Sequence, residues 1–436
     1  MSRPNLLFIF SDQQSWDTLG AYGNGEVRTP NLDRLAGRAT VVEYAFANNP
    51  VCTPSRGMLL TGRHTWDVGA HVNDQQLKPG QGRYFAEVLT AQGYRSAWIG
   101  KWHLYGGDRN RPIPPGPFRY GFDEAFLSNN CTVDFRPDQT FFWNEAGEKV
   151  PLNAYEPDGQ TGQAVEYIRK QAGKSEPWNL FISWHPPHNP HEHCPEKWSD
   201  LYNPDELTLR PGMPDTKEFR VRLSQYYGMI SNLDWNFGRL VEVLKETGQY
   251  ENTLIVYTSD HGDTLLDPAR SWHPRSYKQR PEDVSLRVPL IVSLPGQTVG
   301  RRVSTLVGTL DVMPTVLGLL SSPVPEGLQG QNLSGLFRGD EAQWDRLLPI
   351  WNIDFKWRGV VNRRFTYSTG SFQSLFDREK DPLQMRNVYD DPEYAGVQAE
   401  LHAATLAWMK EYGDDLDLAA VPVTQKSQNP YQLVVP

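Results

Sequence analysis

The sequence predicts an α/β protein built on a large mixed, mostly parallel sheet sandwiched by helices, with a smaller C-terminal antiparallel sheet plus helix. Two observations carry this. Short apolar runs bounded by polar turns, as in buried strands, alternate with segments whose apolar residues recur at helical spacing. Further on, the Gly/Pro/Ser-rich stretch SSPVPEGLQGQNLSG separates this alternation from a cluster of strand-like runs closed by one helix.

Taken in order, the strand candidates are Leu6–Phe10, Ser96–Ile99, Trp178–Trp184, Thr253–Thr258 and Val288–Leu294. Thr29-Pro30 reads as an N-cap and first helical residue ahead of NLDRLAGR. Tyr84–Gln92 is helical up to Gly93, a stop signal, and Gln160–Gln171 and Lys217–Lys245 keep apolar residues at helical spacing. Asp311–Leu320 is the last helix before the Gly/Pro-rich stretch. Beyond it lie strand candidates Leu348–Trp351, Gly359–Val361 and Phe365–Ser368 and a helix around Val397–Tyr412. The expected division is a catalytic α/β domain over residues 1–345 and a small α+β subdomain over 346–436.

Composition narrows the function. With 39% hydrophobic and 22% charged residues the 436-residue chain has an ordinary globular balance, and it shows no repeat. A net charge of −9 argues against a nucleic-acid footprint, so an anionic ligand would need a local cluster of cations. Three cysteines, an odd and sparse set, argue against a disulfide framework. The start MSRPNLLFIFSD runs almost directly into a strand, and no apolar stretch spans a bilayer. The expectation is a cytoplasmic protein with no membrane and no nucleic-acid partner. Nothing in the sequence reads out an oligomeric state.

Ligands in open α/β sheets bind beyond the carboxyl ends of the strands. At those ends stand Asp12 and Gln13; Lys101 and His103, in GKWH; His185 and His188, in HPPHNPH; and Asp260 and His261, in SDHGD. Asp12, Gln13, Asp260 and His261 form a donor set suited to Ca²⁺, with Mg²⁺ or Mn²⁺ as alternatives. Lys101, His103, His188 and Arg56 supply the cations an anion needs. A fifth contributor is VCTPSRGMLLTGR. Pro54 reads as part of the first turn of a helix running through Leu60, which places Cys52 just before a positive helix end. On position alone Cys52 is either a thiolate nucleophile or a buried inert thiol.

Cys52-Thr53-Pro54-Ser55-Arg56 followed by Thr61-Gly62 resembles the signature of the type I, formylglycine-dependent sulfatases of the alkaline phosphatase superfamily. The resemblance runs on through RPNLLFIFSDQ, TPNLDRLA, GKWHL, PHNP, SDHGD, LRVPLIV and DVMPTVLGLL, and into the tail's LFDREKDPLQMRNVYDDP. It implies that Cys52 is oxidised by a formylglycine-generating enzyme and that the hydrated aldehyde is the nucleophile. It implies one divalent metal held by Asp12, Gln13, Asp260 and His261, with modified Cys52 also reaching it. Arg56 would hold the hydrate, Lys101 and Lys278 the sulfate oxygens. His103 would take a proton as sulfate is expelled, and His188 would assist departure of the alcohol. The implied activity is hydrolysis of a sulfate ester on a carbohydrate or small organosulfate. A phosphonate monoester or phosphodiester hydrolase using the same centre is the alternative.

Two departures stand out. Many sulfatases have Asp-Asp where this chain has Asp12-Gln13, and Asp-Asn where it has Asp260-His261. The stretch TLLDPARSWHPRSY also departs from the usual run, and makes Arg270, His273 and Arg275 subsite candidates. His71 and Asn73 are further subsite candidates, and His185, His191 and His193 are expected to line or flank the entrance. The prolines of HPPHNPH exclude a helical His-Glu-x-x-His metal motif.

Overall fold

The structure, a computed structural model, describes residues 3–211, 213–265, 278–339 and 346–424. Its centre is a ten-stranded sheet. Across it the strands run Arg301–Val303, Thr40–Val42, Leu290–Ser293, Thr253–Ser259, Asn5–Asp12, Trp178–Pro187, Arg95–Lys101, Ala125–Asn129, Phe141–Trp143 and Lys149–Pro151. The central five, from Thr253–Ser259 to Ala125–Asn129, are parallel to one another, and antiparallel neighbours flank them on both sides.

The apolar runs explain this centre. Every residue of Asn5–Asp12 is buried, as expected for a parallel strand covered on both faces. Leu6, Phe8 and Phe10 join the core on one face, and Leu7 and Ile9 join the other. The first face is covered by helices Cys52–Thr61, Phe85–Ala91 and Thr309–Leu319. The second is covered by Pro30–Ala36, Glu156–Gln171 and the 30-residue helix Lys217–Glu246.

The tail forms a four-stranded antiparallel sheet, Leu348–Asn352, Trp357–Val361, Phe365–Gly370 and Ser374–Asp377, with helix Ala395–Tyr412 against it. Trp351, Val360 and Tyr367 of this sheet share a core with Trp408 of that helix and with Met58 of the Cys52–Thr61 helix. The Cys52–Thr61 helix is therefore wedged between the main sheet and the tail.

Two expectations need correction. Val288–Leu294 is not one strand: it splits into Arg287–Val288 and Leu290–Ser293, which belong to different sheets. Pro289 lies between them and brings no N–H to a ladder. The helix read from Pro54 starts at Cys52, so Cys52 is its first residue rather than the one before it. Thr29 and Pro30 hold the N-cap and first helical positions as expected, but the Thr29 side chain makes no capping bond. Its hydroxyl bonds Asp33, and the free N–H groups of Asn31 and Leu32 go instead to Asp234, from the middle of the long helix.

This borrowed cap yields a stability prediction. Asp234 is buried and also accepts from the Asn31 amide at 2.9 Å. Asp234→Ala leaves these donors unpaired, and urea unfolding is expected to show a loss of about 2 kcal/mol. A loss within experimental error would show that water replaces the carboxylate there.

Candidate active site

The residues singled out at the strand ends do converge. Asp12 closes the central strand, Lys101 closes Arg95–Lys101, and Asp260 and His261 follow Thr253–Ser259. Arg56 lies one turn into the Cys52 helix and points back under the sheet's carboxyl edge. Its Nη2 donates to Asp12 Oδ2 at 3.0 Å, its Nε to Asp260 Oδ2 at 3.0 Å, and its Nη1 to Ser183 Oγ at 2.7 Å and the Lys101 carbonyl at 3.1 Å. The guanidinium also lies 4.9 Å over the Phe10 ring. All five of its anchors sit on different positions of three parallel strands and the turn after a fourth, so Arg56 locks the strand ends together.

Cys52 Sγ lies 3.5 Å from Asp12 Oδ1, 3.4 Å from His261 Nε2 and 2.8 Å from Lys278 Nζ. Lys101 Nζ is 2.6 Å from Asp12 Oδ2. His188, partly exposed, sets its Nε2 3.4 Å from Lys278 Nζ while its Nδ1 bonds the Asn189 carbonyl at 2.5 Å. His261 Nδ1 bonds the Gly262 carbonyl at 2.9 Å, which turns its other nitrogen toward the site. His103 bonds Asp74 Oδ1 through Nε2 at 3.0 Å, and Arg109 grips the same carboxylate. Gln13 and His103 both hold left-handed backbone, φ +69° and +58°, where side chains other than glycine are strained.

The electrostatics are those of an anion site. Burial alone would raise the Cys52 thiol, but Lys101, Lys278 and His261 bring it well below its ordinary value. Burial and the Cys52 sulfur would likewise raise Asp12; Lys101, His188 and Arg56 overcome them and hold it well below the carboxylate range. Asp260, buried beside the Asp12 carboxylate, is pushed up to about 6. Two carboxylates facing one space repel, and a cation placed between them removes that cost. The imidazoles are split: burial opposes charge on His103, yet Cys131 and Asp74 raise it to about 10, while burial and Lys278 lower His188. His103 is thus the protonated imidazole of the pair, held so by Cys131 and Asp74.

The donors fit a metal. One donor atom each from Asp12, Cys52, Asp260 and His261 lies within 4.8 Å of all the others, and all four residues are buried. Gln13 Oε1 adds a buried carbonyl oxygen with no hydrogen-bond partner among the described residues. Three carboxylate or amide oxygens with one imidazole are a hard, oxygen-rich set.

The remaining candidates fall elsewhere. Asn73 Oδ1 accepts from the Thr53 N–H, so it caps the Cys52 helix. His71 is half-buried with its ring 6.4 Å from Trp66. His191 lines a cavity of about 790 Å³ with Asn189, Glu192, Lys217 and Arg222, and His193 lies 3.6 Å from Asp134. His185 does not line an entrance: it is fully buried, with Nδ1 2.7 Å from Glu156 Oε1, because the strand runs on past Trp184 to Pro187. Arg270, His273 and Arg275 lie outside the described residues. Ser183, Asp74, Arg109 and Asp263 were missed. Only Asp263 carried a signal, since it closes the quoted SDHGD.

A buried thiol at a helix start, hard donors suited to a cation and two ammonium groups make a site fitted to an anionic ester. Comparison with known proteins specifies it. The sulfatase family model matches residues 4–322, and that of the N-sulphoglucosamine sulphohydrolase C-terminal region matches 272–411. A ulvan-active sulfatase of Formosa agariphila is 33% identical over 95% of this chain and 82% of its own. An endo-4-O-sulfatase of Bacteroides thetaiotaomicron is 27% identical over 94% and 92%. A solved sulfatase structure from work on glycosaminoglycan metabolism by Bacteroides thetaiotaomicron superposes with a TM-score of 0.85 at 26% identity, covering 95% of this chain and 97% of that one. The phosphonate monoester hydrolase of Agrobacterium radiobacter shares the fold, with a TM-score of 0.73 at 22% identity over 94% and 96% of the two chains. The chain belongs to the sulfatase family of the alkaline phosphatase superfamily, and is a sulfuric ester hydrolase. A divalent metal and a formylglycine are general features of that family.

Proposed function

We propose that the enzyme removes sulfate from a sulfated carbohydrate, with Ca²⁺ held by Asp12, Gln13, Asp260 and His261 and with Cys52 matured to formylglycine by a formylglycine-generating enzyme. The observation that carries this reading is the packing of Cys52 among Asp12, Asp260, His261 and Lys278. Bound there, the cation would polarise the nucleophile and the sulfuryl oxygens. The hydrated aldehyde would supply one hydroxyl to attack sulfur and a second to release sulfate.

The chain's own residues do the rest. Lys278, beside Cys52, and Lys101, beside Asp12, offer fixed ammonium groups to the equatorial oxygens as charge develops there. Arg56 holds Asp12 and Asp260 in place. His188 lies on the open side, where the alcohol leaves, and His103 lies on the Asp74 side, next to the nucleophile's helix.

A carbohydrate is favoured by relatives that act on ulvan or as an endo-4-O-sulfatase. The open cavity that starts at Asn189, the residue after His188, supports the same reading: its volume falls in the range of small-ligand sites, and Lys217, Arg222, Glu192 and His191 border it. The test is a comparison of nitrophenyl sulfate, a phenylphosphonate monoester and defined sulfated saccharides on enzyme expressed in its host. We expect sulfate esters to lead by at least about tenfold in kcat/KM, roughly 1.4 kcal/mol of transition-state discrimination. A preference of that size for the phosphonate would overturn the assignment.

A further inference from the structure

Gln13 is held at its backbone from two sides. Its N–H donates to Asp260 Oδ1 at 3.1 Å, and its carbonyl accepts from the Tyr226 hydroxyl at 3.0 Å. With φ at +69° the main chain is fixed, so the remaining choice is which end of the side-chain amide faces which way. Asp263 makes that choice. Its Oδ2 accepts from Gln13 Nε2 at 2.8 Å, and its Oδ1 accepts from the Leu265 N–H at 2.6 Å. A carboxylate oxygen cannot face an amide carbonyl at that distance without repulsion. The NH₂ end is therefore committed to Asp263, and Oε1 is left buried and unpartnered among the described residues.

We propose that Asp263 is a positioning residue for the cation site: it orients the Gln13 amide so that Oε1 is presented as a ligand, and it supplies from behind Gln13 the negative charge that an amide ligand lacks. Asp263 is fully buried, and Arg210 fixes its backbone carbonyl at 3.3 Å while pairing with Asp17. The charge thus stands behind Gln13, one hydrogen bond from its amide, and not within the ligand set. Outer carboxylates of this kind both aim a ligand and raise its donor strength. The inference rests on the proposal that Gln13 is a metal ligand, and its test separates the two.

Chelator-stripped enzyme is titrated with Ca²⁺ alone in a calorimeter, and the unfolding temperature of each metal-free protein is recorded. Asp263→Asn keeps the size but removes the charge, and is expected to weaken Ca²⁺ binding about 10- to 100-fold, the usual cost of an outer-sphere change. The exchange variant Gln13→Asp with Asp263→Asn returns the charge to the ligand and lets the new amide donate to it, so affinity should recover. A residue that merely supported the fold would lower the metal-free unfolding temperature and leave the Ca²⁺ affinity alone. Wild-type affinity in Asp263→Asn, or an exchange variant no better than the single one, would overturn the inference while leaving the metal site standing. Should Asp263→Asn fail to fold, the exchange variant decides alone: tight binding supports the inference and weak binding overturns it. Wild-type protein that takes up no divalent ion would overturn the metal site and this inference together.

Discussion

Replacing Cys52 by Ala is expected to lower kcat/KM toward an aryl sulfate by at least about 10⁴-fold, the scale on which hydrolases lose activity with their nucleophile. Little else should change. Cys52 is 1% exposed and its substitution removes a single sulfur atom, so the unfolding temperature should fall by only a few degrees. The thiol even carries an electrostatic cost as an anion in a buried place, which Lys101, Lys278 and His261 offset. Cys52→Ser sharpens the test. Serine has one hydroxyl where the hydrate has two, so it would accept sulfate from the ester, pass its proton to the departing alcohol, and be unable to expel the sulfate afterwards. Intact-protein mass spectrometry should find a stoichiometric gain of one SO₃ and no turnover. Near-normal activity in the Ala variant would remove Cys52 from the chemistry.

Arg56 is expected to give the largest loss of stability at the site. Its guanidinium is fully buried and bridges Asp12 and Asp260, each at 3.0 Å. Arg56→Ala would leave two carboxylates in the interior facing each other, which costs about 3–5 kcal/mol when one member of a buried ion pair is removed. Arg56→Lys keeps the charge but loses the fork that reaches both acids, Ser183 and the Lys101 carbonyl at once. It should fall between wild type and Ala in chemical denaturation, with activity lost in both. A loss below about 1 kcal/mol for Arg56→Ala would mean that the carboxylates neutralise by taking up a proton.

The chemistry of this site was legible because strand ends are legible. Asp12, Lys101, His188, Asp260 and His261 each follow an unbroken apolar run, and such runs report a strand that is buried on both faces whatever its partners. The sheet margins gave no such signal. Lys149–Pro151 is mostly exposed, and Ala45–Phe46 and Val307–Gly308 are two residues long, so they exist only through the pairing that three distant segments provide. The same holds for polar partners. Nothing local announces that Asp234 caps a helix some two hundred residues upstream, that Glu156 takes the imidazole of His185, or that Asp263 turns the amide of Gln13. A motif records which side chains meet the substrate. It is silent about the side chains that hold them, because those are chosen by proximity in the folded chain.

The helix that carries Cys52 has one more consequence. All ten of its residues are buried, wedged between the main sheet and the tail. No second enzyme can reach that sulfur once the chain has closed, since access would require unpacking Met58, Leu59 and Leu60 from two cores at once. If Cys52 is matured as proposed above, that step competes with folding in time: the thiol would be open to an oxidising enzyme only while the chain is still extended, and a chain that closed first would keep its cysteine. On that proposal the active fraction of a preparation would report a ratio of two rates during synthesis, and slowing closure of the chain should raise it without altering any residue of the site.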